Sequence, residues 1–248
     1  MKFLLLAAAL CGGTGAAVAL SDLAAQGQTP AAASGLGAPA GSYLDVRTAT
    51  VFGGACHVGS EAYSQGRHGL AAWLIESGGF DGQDLAGVRM AAVISGPGNL
   101  GLSGGLEDRS SLLVIDAPSA AAAATAESWL RSTSAQALGE IVDVRREVVE
   151  LTNTGEGAFD LRVGNLLAAS GEGLADRACC SMPEQVWYGP LAGDTVLDPI
   201  VGFTGHSTFA GAAGLDAWTY DGSNTAFLGT FGPASILPSC CGVEGPRN

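Results

Sequence analysis

Short segments in which apolar and polar residues alternate recur along the chain, separated by glycine-rich turns. The first covers residues 43–52, where Leu44 and Val46 alternate with more polar neighbours, and it ends at Gly53 and Gly54. A period of two places successive side chains on opposite faces of a sheet, so this pattern predicts a β-strand. A chain composed mainly of such segments buries its apolar residues by pairing them into a sheet.

The remaining segments predict further strands and one helix. Strands are expected at residues 69–82, 88–95, 112–116, 141–151, 159–167, 186–191, 200–209 and 215–231. The predicted helix covers the alanine-rich residues 120–138, which Pro118 and Ser119 open and Gly139 closes. The predicted fold class is α+β, a mainly antiparallel β-sheet with one long helix in a single domain.

The N-terminal residues have the pattern of a secretory signal. Lys2 precedes an apolar run at residues 3–10, and Ala17, Val18 and Ala19 form a small-residue cleavage site. We therefore interpret residues 1–19 as a signal peptide, 20–41 as a flexible linker poor in large apolar residues, 42–232 as the domain and 233–248 as a disordered tail. A periplasmic or secreted protein without a membrane segment after cleavage is expected. A lipid anchor at Cys11 is less favoured, because the bulky Leu10 precedes it.

The charge balance bears on the class of partner. Asp and Glu outnumber Lys and Arg by 24 to 11, which gives a formal net charge of −13. Binding a nucleic acid requires Lys and Arg to neutralise phosphates, so this composition argues against a nucleic-acid partner. We interpret the scattered carboxylates Glu61, Glu76, Asp81 and Asp84, and also His68, as solvated surface groups.

Sulfur-containing residues are concentrated in one place. Cys179, Cys180 and Met182 lie within four positions and precede Pro183. A second group, Cys56 and His57, follows the glycines after the first strand, and His206 lies downstream. Thiolate, thioether and imidazole are ligands of soft and borderline ions, so the predicted metal is copper(I) first and zinc second. The predicted ligands are Cys56, His57, Cys179, Cys180, Met182 and His206.

Two other interpretations of these residues stay open. Cys56 can form a disulfide with Cys179 or Cys180 in an oxidising compartment, which would make the protein a disulfide-stapled binding module without a metal. Alternatively, His57 or His206 activates a redox thiol. HExxH does not occur in the sequence, and we expect binding rather than catalysis.

Several segments together carry a resemblance to known proteins, and they are residues 43–57, 72–78, 84–88, 113–117, 178–183, 186–188 and 224–229. They cover roughly residues 42–232 and resemble the bacterial domain-of-unknown-function 1326 family. It implies a single domain with cysteines near its first strand, and it implies no established activity. Many relatives have a cysteine-rich first loop, where this chain has Cys56 and His57.

The sequence thus predicts an exported protein that binds a soft metal for handling or delivery. Its expected partner is a protein that donates the metal or accepts it.

Overall fold

The computed structural model describes residues 35–53, 60–102, 108–153, 157–174 and 188–233. These residues fall in one compact unit. Its elements are β1 (Ala40–Arg47), β2 (His68–Ser77), β3 (Gly79–Phe80), β4 (Gln83–Asp84), β5 (Arg89–Ser95), β6 (Ser110–Asp116), α1 (Ala120–Thr133), α2 (Ala135–Leu138), β7 (Glu140–Arg145), β8 (Glu150–Asn153), β9 (Ala158–Val163), β10 (Leu167–Gly173), a 3₁₀ helix (Gly193–Thr195), β11 (Val196–Phe209) and β12 (Trp218–Phe231).

One large mixed sheet dominates the described residues. It contains ten strands in the order β7-β6-β5-β2-β1-β12-β11-β10-β9-β8, and β3 pairs with β4 in a small hairpin beside it. Neighbours in the large sheet are antiparallel except for β6 and β7, which are parallel. Parallel neighbours need a crossover connection, and α1 and α2 provide it. The prediction of a mainly antiparallel sheet is confirmed.

The central strand β1 is covered on both faces. On one face, Tyr43 belongs to an apolar cluster with Trp73 of β2 and with Trp129 and Leu130 of α1. On the other face, residues of β1 and β2 share a second cluster with residues of β8, β9 and β10. The far half of the sheet therefore folds back over the near half, while the helix covers the opposite face.

The predicted long helix is interrupted at Ser134, and this part of the prediction is wrong. α1 ends at Thr133, Ser134 has φ −129°, and α2 is a separate short helix. The hydroxyls of Ser132 and Thr133 both donate to the carbonyl oxygen of Trp129, at 2.7 and 3.0 Å. Hydroxyls that bond back to the preceding turn bend helices, which accounts for the break. The predicted boundaries are confirmed, because Ser119 caps the start of α1 and Gly139 caps the end of α2.

Several predicted strands have different limits. The first begins at Ala40, inside the predicted linker, and ends at Arg47. Residues 69–82 divide at Gly78, whose φ of +93° turns the chain between β2 and β3. Residues 141–151 divide into β7 and β8, which lie at opposite edges of the sheet. The strand predicted at residues 159–167 ends at Val163, and the separate strand β10 (Leu167–Gly173) follows it. The described residues 188–191 of the predicted strand 186–191 are not a strand.

None of the helices in these ranges has both the length and the apolar character that crossing a membrane would require.

Removing the cap of α1 tests why this helix begins where it does. The side-chain oxygen of Ser119 accepts a hydrogen bond from the backbone N–H of Ala122 at 3.0 Å. Ser119→Ala should lower the free energy of unfolding by about 1 kcal/mol, because an N–H at the helix start loses its acceptor. Urea denaturation measures this change. Ser119→Asp, which keeps an acceptor, should retain most of the stability, and an equal loss in both variants would contradict the capping role.

Candidate metal centre

The structure places one of the six predicted ligands, His206 in β11. The other five lie outside the described residues, and they are Cys56, His57, Cys179, Cys180 and Met182. Within the described residues, no group of three or more His, Cys, Asp or Glu side chains could hold a metal ion. The geometry that bears on the predicted site is therefore that of His206 and of the residues that flank the two cysteine-bearing segments.

His206 is held by a carboxylate on the neighbouring strand. It lies opposite Asp221 in the pairing of β11 with β12. Its Nδ1 is 2.7 Å from Asp221 Oδ1, and both side chains are about half exposed, at 51% and 54%. This contact fixes the ring through Nδ1 and leaves Nε2 on the far side of the ring. Histidine ligands of metals are typically oriented in this way by a carboxylate on the other nitrogen.

The flanks of the cysteine-bearing segments pack together in one apolar cluster. Phe52 lies just before the segment that carries Cys56 and His57. Leu174 and Tyr188 lie immediately before and after the segment that carries Cys179, Cys180 and Met182. We call their common cluster the base cluster; its members are Val51, Phe52, Tyr188, Val201 and Phe227, with Leu102 and Leu174 packed against it. The described residues next to both segments thus lie in one place.

The His206–Asp221 pair lies near the chain that enters the base cluster. The Thr50 hydroxyl is 2.9 Å from the Ser223 hydroxyl, and the backbone N–H of Val51 donates to the carbonyl of Asn224 at 2.8 Å. Ser223 is two residues from Asp221 on β12, a separation of about 7 Å along a strand. His206 is therefore on the same side of the molecule as the approach to Cys56 and His57.

A polar stripe on β1 holds the chain that returns from the second segment. Tyr43, Asp45 and Arg47 are buried at alternate positions of the strand. The Tyr43 hydroxyl donates to Asp45 Oδ2 at 2.8 Å, and the same oxygen accepts from the backbone N–H of Leu191 at 2.7 Å. The N–H of Ala192 donates to the Tyr43 hydroxyl at 3.1 Å.

Arg47 completes this stripe at the base cluster. Its Nη2 donates to the carbonyl of Gly189, and its Nε lies 3.5 Å from Asp45 Oδ1. Its guanidinium carbon is 5.9 Å from the ring centre of Tyr188 and 5.8 Å from that of Phe227. Residues 188–192 are thereby fixed against β1, and a buried positive charge borders the base cluster.

Burial is the largest cause of the pKa shifts of Tyr43, Asp45 and Arg109. Burial raises the pKa of Asp45, although Arg47 and the hydrogen bonds from Leu191 and Tyr43 oppose that rise. Burial also raises the pKa of Tyr43 well above its usual value, so its hydroxyl remains a donor. Burial, followed by the charge of Arg47, lowers the pKa of Arg109 to about 10. Two buried guanidinium groups are therefore close enough to repel each other near the base cluster.

Two groups interpreted as solvated are not. Glu61 is buried: its Oε2 accepts from the backbone N–H of Thr50 at 2.9 Å, and its Oε1 accepts from the Tyr220 hydroxyl at 3.2 Å. Glu61 follows the segment of Cys56 and His57 by four residues, so these bonds hold its far end to the sheet. His68 is partly buried, with Nδ1 2.9 Å from the Ser95 hydroxyl. Residue type alone does not identify Thr50 and Tyr220 as the partners of Glu61, or Ser95 as the partner of His68.

Removal of the Arg47 side chain tests the role of the polar stripe. Arg47→Ala should lower the free energy of unfolding by about 3 to 5 kcal/mol, because Asp45 would remain buried without its positive neighbour. Urea denaturation measures the loss. Arg162→Ala, a change at an exposed arginine of β9, is the matched control and should alter stability by no more than about 0.5 kcal/mol. Equal effects of the two changes would contradict the structural role of Arg47.

The raised pKa of Asp45 predicts a definite sign of pH dependence. Because the pKa is higher in the folded state than in the unfolded state, the folded state binds the proton more tightly. The associated stability is present at low pH and is lost as the pH rises from about 4 through the folded-state pKa. The unfolding free energy of the unsubstituted protein minus that of Asp45→Asn should therefore fall over this interval. Denaturation at a series of pH values measures it, and a difference that grows with pH would show that the pKa is lowered instead.

Comparison with known proteins gives no match to the chain among family models, curated proteins or solved structures. The resemblance to the domain-of-unknown-function 1326 family stays a prediction, and the functional interpretation rests on the chain's own residues.

Proposed function

We propose that this protein is an exported metal-handling protein that binds copper(I) first and zinc second. The proposed ligands are Cys56, His57, Cys179, Cys180 and Met182, with His206 completing the set. The observation that carries the proposal is the base cluster, because the segments bearing the first five ligands begin or end at it.

The donor types match a soft ion. Thiolate and thioether sulfur select copper(I), whereas a set dominated by thiolate and imidazole also suits zinc. Cys179 and Cys180 are adjacent in sequence, so both can reach one ion where the backbone turns and not where it is extended. The following Pro183 is compatible with such a turn.

The buried charge at the base cluster favours the reactive form of the cysteines. Metal ligation requires thiolates, and nearby positive charge lowers the pKa of a thiol. Arg47 lies against Tyr188, the first described residue after the segment that carries Cys179 and Cys180. A guanidinium in this position would stabilise a thiolate pair bound to a monovalent ion.

We propose delivery rather than turnover for this site. Loops that leave a rigid sheet present a site to a partner while the scaffold stays unchanged. The proposed partner is a protein that donates the metal to this site or accepts it. We also propose that residues 1–19 are an export signal and that the chain is related to the domain-of-unknown-function 1326 family.

Copper(I) affinity of single-cysteine variants tests the proposal. The affinity is measured anaerobically by competition with a coloured copper(I) chelator, on the chain without its signal peptide. Loss of a residue that merely orients a ligand weakens metal binding 10- to 100-fold, so Cys56→Ser and Cys179→Ser should each weaken it by about 100-fold or more. Cys240→Ser, in the predicted tail, is the control and should leave the affinity unchanged.

The alternative is a disulfide between Cys56 and Cys179 or Cys180. It would explain equally well why residues next to both cysteine-bearing segments pack in the base cluster. In that case Cys56→Ser and Cys179→Ser would lower the free energy of unfolding by about 2 to 4 kcal/mol, and the unsubstituted protein would bind no copper(I). That pair of results would refute the metal proposal and identify a disulfide-stapled module.

A further inference from the structure

An aromatic cavity lies at the opposite end of β1 from the base cluster. Its volume is about 240 Å³. It is formed between the residues that precede β1, the C-terminal end of α1, the 3₁₀ helix and the end of β12. Its lining includes the aromatic residues Trp73, Trp129 and Phe231 and the polar residues Thr133, Asp194 and Thr195.

The floor of the cavity is apolar and held in place by its neighbours. Trp73 packs edge-to-face on Tyr43, with 5.5 Å between ring centres, and Trp129 lies 5.4 Å from Phe231. Trp73, Trp129 and Phe231 are all buried members of the cluster beneath α1. The aromatic surface is therefore already formed before a ligand arrives, which is typical of small-molecule sites.

The rim of the cavity carries oxygen acceptors and one negative charge. The Thr133 hydroxyl donates to the Trp129 carbonyl at 3.0 Å, and the Thr195 hydroxyl donates to the Ala192 carbonyl at 2.8 Å. The protons of both hydroxyls are thus engaged by backbone carbonyls, which leaves the two oxygens as acceptors. Asp194 adds an exposed carboxylate, and none of the described residues lining the cavity is Lys or Arg.

We propose that this cavity binds a small organic cation, an ammonium group that carries methyl groups. The faces of tryptophan and phenylalanine attract such a cation through their negative π-surface, and the methyl groups fill apolar space that an inorganic ion would leave empty. Asp194 supplies the opposite charge at the rim. The chain's formal net charge of −13 also favours the approach of a cation over that of an anion.

The site is separate from the proposed metal centre. The cavity includes Ala38 and Pro39, which precede β1, whereas the base cluster begins at Val51, beyond its other end. On β12, Phe231 of the cavity and Phe227 of the base cluster are four residues apart, which is about 13 Å along a strand. Binding here depends neither on the cysteines nor on their metal.

The test compares a cation with its neutral analogue of the same shape. Choline and 3,3-dimethylbutan-1-ol are titrated into the full chain without its signal peptide, and binding is followed by calorimetry. Choline should bind about tenfold more tightly, because the neutral compound loses the attraction of its charge to the rings and to Asp194. Asp194→Asn should weaken choline binding severalfold and leave the alcohol unaffected.

Asp198→Asn is the matched control for charge. Asp198 is exposed, does not line the cavity and has a positive φ of 47°, a conformation that asparagine tolerates well. This variant should bind choline like the unsubstituted protein. Equal binding of choline and the alcohol, no binding of choline, or equal effects of the two substitutions would each overturn the proposal.

Discussion

The fold depends on the burial of a strand that is not apolar. β1 is enclosed on both faces, yet it carries Asp45 and Arg47, which are 0% and 2% exposed. Burying a carboxylate and a guanidinium is unfavourable unless both are paired and hydrogen-bonded. Tyr43 and the backbone N–H of Leu191 donate to Asp45 Oδ2, and Arg47 Nη2 donates to the carbonyl of Gly189. Asp45 Oδ1 and Arg47 Nε make only an ion pair at 3.5 Å, and Arg47 Nη1 has no hydrogen-bond partner among the described residues. Through the bonds to Leu191 and Gly189, a stretch without regular secondary structure is fixed across the centre of the sheet.

This constraint connects the scaffold to the proposed function. Tyr188, which begins the fixed stretch, packs in the same cluster as Phe52 and Leu174. The positions of the described residues next to the two cysteine-bearing segments are therefore set by the polar stripe on β1 and by the apolar contacts beside it. A soft-metal site needs little more from its scaffold than that its ligands start close together and that their thiolates are favoured. Arg47 holds Gly189 and places a positive charge at the base cluster, and under the proposal this charge would favour the thiolates.

Local signals predicted the parts of the fold that local interactions determine. Ser119 and Gly139 indicated the ends of the helical region, because a cap acts on neighbouring backbone groups. The break at Ser134 was missed, since it depends on which carbonyl the Ser132 and Thr133 hydroxyls reach. The sequence predicts Glu61 to be a surface acid. Its partners Thr50 and Tyr220 lie 11 and 159 residues away along the chain, so residue type alone gives no indication of them. The residue types of the proposed site were evident from the sequence. The sequence does not reveal that the flanking residues Phe52, Leu174 and Tyr188 pack together, because this packing joins residues that are distant along the chain.

The most direct test of the metal proposal is the metal content of the protein purified without oxygen, together with a count of reduced thiols before and after denaturation. We predict about one equivalent of copper or zinc per chain, with Cys56, Cys179 and Cys180 all reduced. A metal-free protein in which Cys56 is oxidised in a bond to Cys179 or Cys180 would contradict the account. The convergence at the base cluster would then serve a disulfide.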